Sequence, residues 1–265
     1  MSKFIAAMDH SGGSTGGVLE RYHQDYTEET KMDLVHEMRM RMVNSPDFNS
    51  NNIWAAILYK DTVDRGMVNI LQEKGIKSFL KIDSGCNENG TLKNFNLNNM
   101  LTFAVQNGCT GTKMRSIIYS PEYINIVLKQ QFTLAQSIFN WGLMPIIEPE
   151  VPIDDPDKES LEIALEHLLL RYLNDYEGTC ILKLTLPEKP NLYKHLVAHP
   201  KVHKLVGLSG GYSTDVACEK LILNKSMSAS FSRALSEGLY SDLKDSEFDE
   251  VMSWNIKKIV SASST

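Results

Sequence analysis

The 265-residue chain has no apolar run long enough to span a bilayer, and its N-terminus, MSKFIAAMDHSGG, offers only a very short apolar stretch before charged and glycine residues. It reads as neither a signal peptide nor a membrane span. Cysteine is scarce: Cys86, Cys109, Cys180 and Cys218 form no CxxC pair, so reduced thiols and a cytoplasmic location are expected. No GxGxxG follows the first apolar run, which removes the dinucleotide-binding fingerprint. The net charge is −6, with no basic run interleaved with aromatics, so no nucleic-acid partner is expected. Linkers, low-complexity tracts and internal repeats are also missing, and residues 1–265 read as a single domain.

What is present is a regular alternation. Hydrophobic residues make up 42% of the chain, enough for a sizeable core. Eight short apolar runs read as strands: 4–8, 53–59, 78–82, 111–115, 144–148, 179–184, 202–208 and 227–231. Amphipathic segments lie between them. Ser120-Pro121-Glu122 marks a helix start and Gly142 its end. Asp157 can cap the next helix, where Leu161, Leu165, Leu168 and Tyr172 share one face; Gly75 and Gly108 stop two others. Strand–helix alternation implies parallel strands with right-handed crossovers, and eight units in this length fit an α/β (β/α)8 TIM barrel.

Chemistry in such a barrel sits at the C-terminal ends of the strands. Here those ends carry Asp9 and Ser11, then Lys81, Lys113 and Arg115, then Glu148 and Glu150, then Lys183, and finally Ser209-Gly210-Gly211 and Ser232-Arg233. Taken alone, Lys183 in the strand GTCILKLT reads as an edge lysine reaching for solvent. Beside the cation of Lys113 and buried, it is expected to lose its proton more easily and to attack a ketone as a neutral amine. Glu148 and Glu150 lie two apart on an extended strand and face the same way, so one of them can shuttle protons. Asp9 is a candidate base. The glycines and Arg233 suit one phosphate, while Ser11, Ser14, Lys81 and Arg115 make a second polar group for another.

The segments FIAAMDHSGGST, AAILYKDTVDR, FLKID, GTKMRS, MPIIEPEV, LKLTLP, LSGGYS and ASFSRAL span nearly the whole chain in order. On these the chain resembles class I fructose-1,6-bisphosphate aldolase, in particular its short bacterial branch. The resemblance implies reversible aldol cleavage to dihydroxyacetone phosphate and glyceraldehyde 3-phosphate, with a Schiff base on Lys183 and proton shuttling by Glu148. It implies base work by Asp9 and support from Lys113 and Glu150. It places one phosphate at Ser209, Gly210, Gly211, Ser232 and Arg233 and the other at Ser11, Ser14 and Lys81, with Arg115 adjacent. The implied ligand is a small sugar bisphosphate, with no cofactor or metal, and the oligomeric state is left open, compatible with a monomer. Two departures stand out. The chain begins almost directly at the first strand, from which somewhat reduced stability is expected, and it ends SASST where animal-type members carry a tyrosine; the last tyrosine is Tyr240.

Other readings carry less. His195 and His199 have a metal-compatible spacing of four, but a helix on the barrel exterior with charged histidines near its C-terminus explains them. The MRMRM run at 38–42 reads as a helix end with its arginines outward. A sugar-phosphate-binding protein on an aldolase frame, or a Schiff-base aldolase for another sugar phosphate, remain the alternatives.

Overall fold

The computed structural model describes residues 3–11 and 13–263, with only the backbone of residues 13 and 14. Eight parallel strands run in the order of the chain: β1 (Phe4–Met8), β2 (Ile53–Leu58), β3 (Lys77–Lys81), β4 (Gly111–Ile117), β5 (Met144–Glu150), β6 (Cys180–Thr185), β7 (Val202–Leu208) and β8 (Ser228–Ala229). The ring closes where the Ala7 N–H donates to the Phe231 carbonyl at 3.1 Å. The helices are α1 (Gly13–Arg21), α2 (Lys31–Asn44), α3 (Lys60–Asp64), α4 (Met67–Glu73), α5 (Leu97–Gln106), α6 (Pro121–Asn140), α7 (Lys158–Asp175), α8 (Lys194–Val197), α9 (Thr214–Ile222) and α10 (Asp245–Ala262). Among the described residues no helix is long and apolar enough to cross a membrane.

Two apolar cores follow from the period of two along each strand. Ile5, Ala7, Ala55, Ile57, Phe79, Ile146, Ile181 and Val206 fill the barrel interior. The alternate residues, among them Phe4, Leu58, Leu80, Met114, Ile147 and Leu182, pack outward against the helices. The same parity carries the inward row from apolar to charged as each strand rises. Ile146 is followed two residues on by Glu148 and Ile181 by Lys183, while Phe79 leads to Lys81 and Gly111 to Lys113. The apolar floor holds the barrel, and the charged tier above it lines the open end together with Ala7.

Several expected details hold and others change. Gly75, Gly108 and Gly142 take φ of +70°, +70° and +77°, as helix-stopping glycines should. Pro121 opens α6 as its first residue, although Ser120 contributes only its carbonyl, to the Tyr123 N–H. Asp157 occupies the start of α7, but its carboxylate caps nothing. The buried line of α7 is Leu161, Leu165, Leu169 and Leu173; Leu168 and Tyr172 sit beside it, partly buried. Strand β8 is two residues long rather than five. The MRMRM expectation fails at Arg39: only Arg41 lies toward the surface, whereas Arg39 is buried and donates to Thr62 Oγ1 and the His10 carbonyl, both at 2.6 Å. His199 lies beyond the end of α8, so it does not share a helix with His195. Burial and the nearby Lys201 charge push the His199 imidazole down, which removes the expected charged histidine at a helix end.

Candidate active site

The strand ends open into a cleft of about 500 Å³. Its floor is a chain of four buried charges. Lys113 Nζ lies 2.9 Å from Asp9 Oδ2 and 2.8 Å from Glu148 Oε2, and Lys183 Nζ lies 3.1 Å from Glu148 Oε1. Asp9, Lys113, Glu148 and Lys183 come from the residue after β1, β4, β5 and β6 respectively, and all are less than a tenth exposed. A carboxylate therefore stands between the two lysines. Burial lowers the hold of Lys113 on its proton, but Asp9 and Glu148 outweigh this and hold the ammonium well above the usual lysine range. Burial alone would raise the Asp9 carboxyl, yet the charges of Lys113 and Lys183 keep it well below the ordinary value. Both groups are thus fixed as ions in a site that water scarcely reaches, where charge at the reacting centre is felt most strongly.

Around this floor the polar residues fall in two groups. On the β3–β4 side, Lys81 Nζ donates to Ser11 Oγ at 2.8 Å and lies 3.3 Å from Asp83 Oδ1. Arg115 Nε meets Glu150 Oε2 at 2.5 Å, so Glu148 and Glu150 share a face but take different partners. Pro149 leaves β5 unbroken: it sits opposite Ser116, and the pairing with β4 continues to Ile117 and Glu150. On the β7–β8 side, Gly210 and Gly211 have φ of +60° and +128°, and Ser209 is buried at the start of the turn. A side chain at Gly211 would come within 3.3 Å of both terminal nitrogens of Arg233, so the guanidinium lies directly over this glycine. Ser232 Oγ is 3.1 Å from His10 Nε2. The side chain of Ser14, expected with Ser11, lies outside the described residues.

Three lining residues escape the reading from sequence. Asp83 is buried, contacts Lys81, and accepts from the Arg115 N–H at 3.2 Å; it ends the segment FLKID and obeys the same strand-end rule. His10 is brought down to about 4 by burial, against the pull of Asp9, and faces the cleft as a neutral imidazole. Arg21, at the end of α1, lines the same cleft, and burial, followed by the nearby charge of Arg233, lowers the hold of its guanidinium on a proton. Only a tertiary contact could reveal Arg21, since it is twelve residues beyond Asp9 and has no strand-end position. Three of the thiols stay protonated: burial pushes Cys180 up to about 12 and Cys109 and Cys218 up to about 11.

No family model matches the chain. Curated relatives do. The chain is 44% identical to the class 1 fructose-bisphosphate aldolase of Clostridium acetobutylicum, with 99% of this chain and 95% of the relative covered. It is 43% identical to the enzyme of the same name from Synechocystis, covering 99% and 94%. Among solved structures, Plasmodium falciparum fructose-bisphosphate aldolase superposes with a TM-score of 0.81 at 18% identity, over 98% of this chain and 90% of that one. An archaeal fructose-1,6-bisphosphate aldolase, solved with its catalytic lysine bound to the carbinolamine intermediate, shares the fold at a TM-score of 0.57 and 10% identity, over 97% and 94%. With identity above 40% over 99% of its length, the chain belongs to the class 1 fructose-bisphosphate aldolase family.

Proposed function

We propose that the protein cleaves fructose 1,6-bisphosphate reversibly to dihydroxyacetone phosphate and glyceraldehyde 3-phosphate, through a Schiff base on Lys183. The observation that carries this reading is the Glu148 carboxylate held between Lys183 and Lys113 at the buried floor of the cleft. Proton transfer from the Lys183 ammonium to Glu148 Oε1 across 3.1 Å leaves a neutral amine and a neutral acid. The amine attacks the C2 carbonyl, and Glu148 returns its proton to the carbinolamine hydroxyl, which leaves as water. The resulting imine accepts the electron pair of the C3–C4 bond as that bond breaks. Asp9 takes the C4 hydroxyl proton, and glyceraldehyde 3-phosphate departs. Protonation of the enamine at C3 and hydrolysis of the imine then release dihydroxyacetone phosphate.

Lys113 stays charged throughout and holds Asp9 and Glu148 in place. One phosphate meets Ser209, Gly210, Gly211, Ser232 and Arg233, with Arg21 as a further guanidinium; the other meets Ser11, Ser14, Lys81 and Arg115. Arg21 and Arg233, neither in an ion pair among the described residues, line the same cleft and together favour an anion there. The four free thiols accord with a cytoplasmic protein. The test compares cleavage of doubly and singly phosphorylated ketoses with and without EDTA. Cleavage that prefers the bisphosphate and ignores EDTA supports the reading. Preference for a singly phosphorylated substrate, or loss of activity in EDTA, overturns it.

A further inference from the structure

Outside the cleft, a second charge cluster joins the loop after β6 to the loop after β7. Glu188 Oε1 lies 2.9 Å from Lys158 Nζ and accepts from Tyr212 OH at 3.2 Å, while Lys220 Nζ donates to Oε2 at 2.9 Å. Lys158 is buried and also donates to Glu162 Oε1 and the Leu186 carbonyl; Glu162 Oε2 in turn accepts from the Glu188 N–H at 2.9 Å. Tyr212 is the residue after Gly211, and its N–H closes the turn onto the Ser209 carbonyl at 2.9 Å. On the other side of this turn, a side chain at Gly210 would stand 2.5 Å from Ile153 Cγ2. The glycine turn is therefore held between Ile153 and the hydroxyl of Tyr212.

We infer that Glu188 is a positioning residue for substrate phosphate: by fixing Tyr212 it sets the Ser209–Gly211 turn in its binding conformation before the ligand arrives. The inference rests on the proposed phosphate site at that turn. Two consecutive glycines lose the most conformational entropy on ordering, so a turn already held loses less on binding. The cluster also suits a permanent anchor. Burial would raise the Glu188 carboxyl, but the hydrogen bonds from Lys158 and Lys220 bring it down to about 2, so it remains charged at any working pH. Because the anchor touches neither substrate nor Lys183, its loss should weaken binding and leave the chemistry alone.

The experiment measures kcat and KM for fructose 1,6-bisphosphate, and the Kd of inorganic phosphate by calorimetry, for the wild type, E188Q and Y212F. Y212F removes one hydroxyl from a partly exposed ring and tests the same link should E188Q fold poorly. The expected result is a rise of about tenfold in KM and in phosphate Kd together, with kcat within about twofold. Unchanged KM and phosphate Kd in Y212F, or a fall in kcat at constant KM, would overturn the inference. A wild type that cleaves no bisphosphate would refute the functional reading by itself, while phosphate Kd would still decide the role of Glu188.

Discussion

Replacing Lys113 with methionine removes the cation that joins Asp9 to Glu148 and keeps most of the side-chain volume. Glu148 retains Lys183 as a partner, so the cost falls on Asp9, which is buried and loses its nearest positive charge. Two estimates agree. Deleting one member of a buried ion pair costs about 3–5 kcal/mol. Alternatively Asp9 takes up a proton, and from its ordinary value of 3.8 that costs about 4 kcal/mol at pH 7, at about 1.36 kcal/mol for each pH unit. The second route makes the penalty depend on pH. In the wild type the Asp9 carboxyl is held down, so its contribution is complete above about pH 4 and is lost as the pH falls further. In K113M the penalty shrinks as the pH drops from 7 toward 4, because protonating Asp9 becomes easier. Urea unfolding of both proteins, read as midpoint and slope between pH 4 and 7, follows this directly. D9N/K113M should cost clearly less than the sum of the single changes, by about 2 kcal/mol. A K113M penalty below about 1 kcal/mol at pH 7, or one that does not vary with pH, would refute the picture of a tightly paired floor.

Three further outcomes follow from single residues. His10 is held at about 4 against 6.5 in the unfolded chain, so its neutral form stabilises fully above pH 6.5 and loses up to about 3 kcal/mol as the pH falls to 4; H10N should flatten the wild-type midpoint curve over that window, and parallel curves would contradict it. G111A would place a methyl 2.0 Å from the Met144 carbonyl and 2.6 Å from the Phe79 ring, where β4 pairs with β5, and should cost about 3 kcal/mol in urea unfolding; a loss under 1 kcal/mol would mean the strands can part there. R21M should raise KM for the bisphosphate about tenfold with little change in melting temperature, since Arg21 makes no ion pair among the described residues; an unchanged KM would remove it from the phosphate site.

The order of strands and most of the cleft were legible because a barrel strand reports its inward face every second residue. Ile146 to Glu148 and Ile181 to Lys183 show the change from apolar to charged in the sequence itself. The partnerships were not legible. Nothing local indicates that Glu148 would stand between Lys113 and Lys183 while Glu150 turned to Arg115. Arg39 is the sharpest miss. A helical arginine between methionines reads as surface, yet the His10 carbonyl and Thr62 hydroxyl, contributed from elsewhere in the chain, draw it inward. His199 fell off its expected helix because α8 ends at Val197, three residues before Pro200. Strand β8 shortened to Ser228–Ala229, and the closure passes instead through the Phe231 carbonyl. The burial of Arg39, the partners of Glu148 and Glu150 and the closure through Phe231 are set by contacts distant in sequence, which spacing alone does not encode.

Lys183 as the nucleophile is the step on which the proposed chemistry turns. Incubation with dihydroxyacetone phosphate and borohydride, followed by peptide mass spectrometry, tests this in one step. A reduced three-carbon phosphate adduct on the peptide containing Lys183, absent in K183M, is the predicted result. An adduct on Lys113 or Lys81 instead, or none while activity is abolished by EDTA, would contradict it.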